Sequence, residues 1–317
     1  MTIAYSAAPA PAQVPQTVEP VSYDQLARVT GRHNWWRPIV GTFVLLGLGM
    51  VGIMLLIGPS EAIGAALDLP VDKDGMRVFG DIVTMALSLA SLAILLPALA
   101  LTLWWVQRRK WSSITSVTGR LRLPWLGRCF AVAAVVFGIS LGALAGVEAL
   151  TNPDAPSEGS WVGWGTFALS IGMLVVLVPL QAAAEEFICR GWFLQAAGSL
   201  LRRPILIIIP QALLFAAAHG WGTPWGFADL TVFGLVLGWL TIRTGGLEAA
   251  IALHVTNNLV AMGIAAAYTG GLGSEETAAD LPWHYALIDM TMTILFAILI
   301  LQLAKRYKPT THLVSSS

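Results

Sequence analysis

Eight stretches of the chain are apolar over lengths that approach or reach the thickness of a bilayer, which fixes the solvent before anything else about the fold. A helix crosses the hydrocarbon core with about 20 apolar residues. That ruler gives spans near 38–58, 82–106, 129–147, 162–184, 204–219, 226–243, 247–268 and 284–304. The fifth, PILIIIPQALLFAAAH, is short and holds two prolines, so a kink or a stop partway through the bilayer is expected there. Composition agrees: the 317 residues are 56% hydrophobic and only 11% charged, where soluble domains carry about a quarter charged residues. The expected fold class is all-α, a polytopic integral membrane bundle of about eight transmembrane helices.

The loops orient these spans, because Lys and Arg accumulate on the cytoplasmic side. With a cytoplasmic N-terminus, that side receives Arg28, Arg32, Arg37, Arg108, Arg109, Lys110, Arg120, Arg122, Arg128, Arg190, Arg202, Arg203, Arg243, Lys305, Arg306 and Lys308. Only Lys73 and Arg77 fall on the other face. Acids occupy that face instead: Glu61, Asp68, Asp72 and Asp74, then Glu148, Asp154 and Glu158, then Glu275, Glu276 and Asp280. Both termini are therefore expected to be cytoplasmic, in the plasma or inner membrane if the source is bacterial. Formal net charge is zero, so no basic excess points to nucleic acid. Cys129 and Cys189 sit in apolar settings and give no disulfide framework.

The chain divides into a mobile N-terminal tail with an interfacial anchor (1–37, ending RVTGRHNWWR), N-terminal membrane helices (38–160), a polar-bearing core (161–268), and a last membrane helix with a C-terminal tail (269–317). Trp161, Trp164, Trp221, Trp225 and Trp283 fall near the extracytoplasmic ends, as an aromatic belt does. Gly245 and Gly246 read as a tight turn between the sixth and seventh spans, and Asp229 and Asp289 as acids paired inside the bundle. Membrane lipid is an obligatory partner, and the sequence carries no signal for oligomeric state.

Ionisable groups at membrane depth cost roughly 2.5–3.5 kcal/mol each and tend to be paired and functional. Here they collect in the second half: Glu185, Glu186 and Arg190 in QAAAEEFICRGW, His219 in LLFAAAHG, and His254 with Asn257 and Asn258 in LHVTNN. Residues four apart share a helix face. Glu186 and Arg190 can pair along one face while Glu185 points about 100° away, free for chemistry. The same spacing stacks Phe215 over His219 and sets His254 beside Asn258. A carboxylate backed by an imidazole can deprotonate water, and a second imidazole with a carboxamide can stabilise the oxyanion formed when that water attacks an amide. The inventory suits peptide hydrolysis inside a membrane.

The three segments, EEFICR, FAAAH and HVTNN, match in order the motifs EExxxR, FxxxH and HxxxN of the CAAX protease and bacteriocin-processing (CPBP) family of intramembrane glutamate proteases, which the chain resembles over roughly residues 165–268. The resemblance implies a membrane endopeptidase acting on a peptide or membrane-anchored protein. It makes Glu185 the base, assisted by His219, with His254 and Asn258 as the oxyanion site. Glu186, Arg190 and Phe215 are supporting residues. Neither a cofactor nor a metal is expected, since HExxH is absent and asparagine is a poor zinc ligand.

Other readings compete. The EE pair can mark an ordinary cytoplasmic helix end near Ala184, and the span map then sets His219 and Glu185 at opposite faces unless the fifth span is shallow or the fourth runs on. Cys189 could be a nucleophile, although an apolar flank disfavours the thiolate. Two histidines and two glutamates could bind zinc, although HExxH is absent. A non-proteolytic scaffold or immunity-type protein binding a partner membrane segment is the main alternative to the protease, and a transporter is a third.

Overall fold

The computed structural model describes residues 19–72, 75–151, 159–274 and 276–314; residues 1–18 of the tail, and the loop charges Lys73, Asp74, Asp154, Glu158 and Glu275, lie outside the described residues. Each of the eight apolar stretches is a helix: α1 Trp36–Ala66, α2 Asp81–Gln107, α3 Leu123–Leu150, α4 Trp164–Leu200, α5 Pro204–Ala218, α6 Pro224–Thr244, α7 Glu248–Ala265 and α8 Trp283–Tyr307. Among the described residues six helices are long and apolar enough to span a membrane; α5 and α7 are not among them. The first is only 15 residues long. The second has 18 residues but carries Glu248, His254, Asn257 and Asn258, which lower its hydropathy.

The bundle presents its apolar surface outward as well as inward. Phe43, Leu55, Leu169 and Leu214 are all exposed, as a lipid-facing surface requires, while Leu237, Ala249, Phe296 and Ile300 fill the centre formed by α3, α5, α6, α7 and α8. All five tryptophans of the expected belt are exposed. Small residues set how closely the inner helices approach, because in lipid packing contacts replace hydrophobic exclusion as the driving force. A methyl group on Gly234 of α6 would come within 2.8 Å of the Ala212 Cα on α5, so α5 lies directly against α6.

At one face of the bundle β1 (Val21–Ser22) pairs antiparallel with β2 (His312–Leu313). Within the segment read as a tail, the described part is packed: Tyr23 is fully buried and its hydroxyl donates to the Ile114 carbonyl, while Arg28 donates to the carbonyls of Gly198 and Leu201 at the end of α4. The turn after α6 is capped by Gly245 in the left-handed region at φ +73°, a conformation glycine adopts without steric cost. Directly behind it, Arg122 grips the start of α7. Its guanidinium donates to both Glu248 oxygens at 2.7 and 2.9 Å and to the carbonyls of Thr244 and Thr310, and the fully buried Glu248 also complements the positive end of the helix.

Candidate active site

The position of the site follows from two helix lengths. α4 does not stop near Ala184 but continues to Leu200, through a π-helical stretch Phe187–Phe193 that directly follows the two glutamates. Wider helical turns of this kind recur at functional sites. The continuation is possible because Glu186 and Arg190 neutralise each other within the interior at 2.8 Å, both fully buried. α5 then returns antiparallel from Pro204 and ends at His219. At 1.5 Å per residue, Glu185 lies about 22 Å from the Leu200 end of α4, and His219 lies about 22 Å from Pro204. The two residues meet at one depth, and the apparent conflict between their faces disappears.

Glu185 Oε2 lies 3.9 Å from His219 Nε2 and 3.6 Å from His254 Nε2. Both exceed hydrogen-bond reach, and this buried oxygen makes no hydrogen bond to another protein group. The other oxygen of the same carboxylate accepts from Gln181 Nε2, one turn earlier on α4. Gln181 in turn accepts from Asn258 Nδ2 at 3.0 Å. A continuous chain, Asn258 to Gln181 to Glu185, thus joins α7 to α4.

Each imidazole has its orientation fixed from behind. His219 Nδ1 lies 2.9 Å from the Phe215 carbonyl, which can only accept, so this nitrogen carries the proton. His254 Nδ1 lies 2.7 Å from Glu186 Oε1 and donates to it. His219 therefore turns the lone pair of Nε2 toward Glu185, while His254, with Nδ1 committed to Glu186, faces Glu185 with Nε2. Aromatic rings wall the cluster: Phe215 packs on the His219 ring with centroids 4.5 Å apart, and its face covers the Arg190 guanidinium at 4.4 Å. Phe233 stacks on Phe215 and meets His254 edge-on.

Every residue singled out for the site, Glu185, Glu186, Arg190, Phe215, His219, His254 and Asn258, is brought together. Three others are not. Asn257 reaches Asn258, at 3.5 Å; Cys189 packs, partly buried, against the apolar centre; and Asp229 joins Asp289 as a carboxyl pair between α6 and α8. Gln181 and Phe233 went unassigned in the sequence. Gln181 carries a signal, standing four residues before Glu185, whereas a phenylalanine in a membrane helix carries none. No group of three or more His, Cys, Asp or Glu side chains with metal-holding geometry occurs among the described residues.

Comparison with known proteins bears on the same region. Residues 167–260 match the family described as type II CAAX prenyl endopeptidase Rce1-like. The matched stretch contains α4 from its first turn, α5, α6 and the polar part of α7, and so Glu185, Glu186, Arg190, Phe215, His219, His254 and Asn258. Over 238 residues the chain is 24% identical to the uncharacterized protein YyaK of Bacillus subtilis (strain 168), spanning 73% of this chain and 78% of that protein. No solved structure matches it.

Proposed function

We infer, for a chain whose residues 167–260 match the Rce1-like family of type II CAAX prenyl endopeptidases, an endopeptidase that hydrolyses a peptide bond within or beside the bilayer using a water activated by Glu185. One observation carries this reading. At membrane depth the Glu185 Oε2 atom, free of protein hydrogen bonds, lies 3.9 Å from the acceptor His219 Nε2 and 3.6 Å from His254 Nε2. A water molecule, with two protons to donate, is the complementary guest.

In the proposed reaction Glu185 takes a proton from that water as its oxygen attacks the scissile carbonyl carbon. His219 orients the water through Nε2. The carbonyl oxygen gains the negative charge and is met by the second N–H of Asn258, whose first is held by Gln181. His254 donates to the same oxygen from Nε2 in its imidazolium form, with the Glu186 carboxylate at Nδ1 supporting the charge. Collapse of the tetrahedral intermediate breaks the C–N bond, and the proton held by Glu185 passes to the departing amine. Preorganised donors of this kind contribute roughly 10²–10³ in rate per donor.

The test compares membrane-proteome cleavage products of the wild type with those of Glu185→Ala and His254→Ala. New peptide termini confined to the wild type are expected. Identical termini in all three strains favour a scaffold that binds a membrane segment without cutting it.

A further inference from the structure

At the end of α2 a cavity of about 490 Å³ opens among Ala100, Trp104, Arg108, Arg109, Lys110 and Trp111. Three consecutive basic residues and two indoles line it, and no acid does. The backbone alternates these charges deliberately. Arg108 ends α2 in the left-handed region at φ +54°, a conformation rare outside glycine; it leaves Arg108 and Lys110 exposed and turns Arg109 inward.

Arg109 is the unusual member. It is only 5% exposed, yet its hydrogen bonds go to neutral acceptors: Gln107 Oε1, the Ser113 carbonyl and Gln195 Oε1. Its Nε is buried and makes no hydrogen bond. Burial lowers its pKa to about 10, so the group remains cationic at neutral pH. A desolvated cation without a carboxylate partner is costly, and it lines a cavity that an anion can enter. Trp104, 64% exposed, has its ring near the Arg108 guanidinium, at the level where indoles meet lipid headgroups.

We propose that this cavity binds the phosphate of an anionic phospholipid, held by Arg108 and Lys110 over the buried Arg109, with its glycerol backbone and acyl chains along Trp104 and Ala100. The phosphate accepts from guanidinium and ammonium donors, and its charge offsets the three cations. The site also touches the catalytic helix. Trp111 packs on Phe187, the residue after Glu186, with ring centroids 4.6 Å apart, and Arg109 holds Gln195 of α4. An occupied site therefore stiffens the half of α4 that extends past the glutamates.

The purified full-length chain in detergent is titrated with mixed micelles of phosphatidylcholine containing phosphatidylglycerol, with phosphatidylcholine alone, and with inorganic phosphate. Bound lipid is read by native mass spectrometry and stability by thermal melting. The wild type should retain phosphatidylglycerol about tenfold more tightly than phosphatidylcholine, as a few basic side chains at an anionic interface provide. Arg108→Gln combined with Lys110→Gln should lose that preference. Lys305→Gln combined with Arg306→Gln, which removes the same charge from the end of α8, should keep it. Equal binding of the two lipids by the wild type, or equal losses in the two double variants, overturns the proposal. Stabilisation by inorganic phosphate that matches phosphatidylglycerol and vanishes in Arg108→Gln/Lys110→Gln overturns the lipid assignment in favour of soluble phosphate.

Discussion

His254 Nδ1 and Arg190 Nη1 approach the same oxygen, Glu186 Oε1, at 2.7 and 2.8 Å. One fully buried carboxylate thus fixes a cation on its own helix and an imidazole on another, whereas its neighbour Glu185 engages neither in a hydrogen bond. Adjacent residues of one type hold different positions because successive helix positions are 100° apart.

This contrast predicts two different failures. Glu185→Gln should lower peptide cleavage by at least about 10², the scale for removal of a general base, with the melting temperature nearly unchanged. Glu186→Gln should also melt markedly lower, because it leaves Arg190 buried without its counter-ion, a loss of about 3–5 kcal/mol. Melting curves beside activity separate them; full activity in Glu185→Gln with none in Glu186→Gln reverses the assignment of the base.

Gln181 bridges Glu185 and Asn258, so its loss should disorder both. Gln181→Leu is expected to reduce kcat by roughly 10-fold or more, on the scale of one misplaced catalytic group, with KM little altered. Gln181→Glu, which repels Glu185 but still accepts from Asn258, should be at least as impaired. Wild-type kcat in both variants removes Gln181 from the site.

The start of α7 depends on Arg122 and Glu248. Glu248→Ala should destabilise the chain by about 3–5 kcal/mol, since it strands a partly buried guanidinium, and Arg122→Ala should do likewise to a fully buried acid. The double variant should lose less than the sum of the two. Denaturant-induced unfolding in detergent measures all three, and additive losses refute the coupling.

Cys189→Ser should cleave at the wild-type rate, and incubation with a chelator should leave that rate unchanged. A dead Cys189→Ser protein points to a thiol nucleophile. Chelator inactivation reversed by zinc points to a metal held by Glu185, His219 and His254.

Much of this site is legible one helix at a time. The spacings from Glu186 to Arg190, Phe215 to His219 and His254 to Asn258 are i,i+4 relations, and each closes a contact or shares a face as helix geometry requires. Depth was harder to read. In sequence, EEFICR looks like the polar end of a span, because charges that cancel against one another and charges that face water have the same composition. Only the packing of α7 distinguishes them, by bringing His254 to Glu186 and Asn258 to Gln181. The role of Gln181 is illegible for the same reason, since its second partner lies 77 residues away in the chain. The contact of Trp111 with Phe187 is likewise tertiary and leaves no periodic trace.

The brevity of α5 has a consequence for the membrane itself. Its 15 residues, with Ile205, Leu206, Ile209, Leu213 and Leu214 exposed to lipid, cover about 22 Å of a hydrocarbon layer that is about 30 Å thick. Acyl chains beside this helix must therefore shorten or tilt by about 8 Å, at a fraction of a kcal/mol per Å. A layer thinned in this way would let interfacial water approach His219, and longer lipids would raise the cost of holding it open.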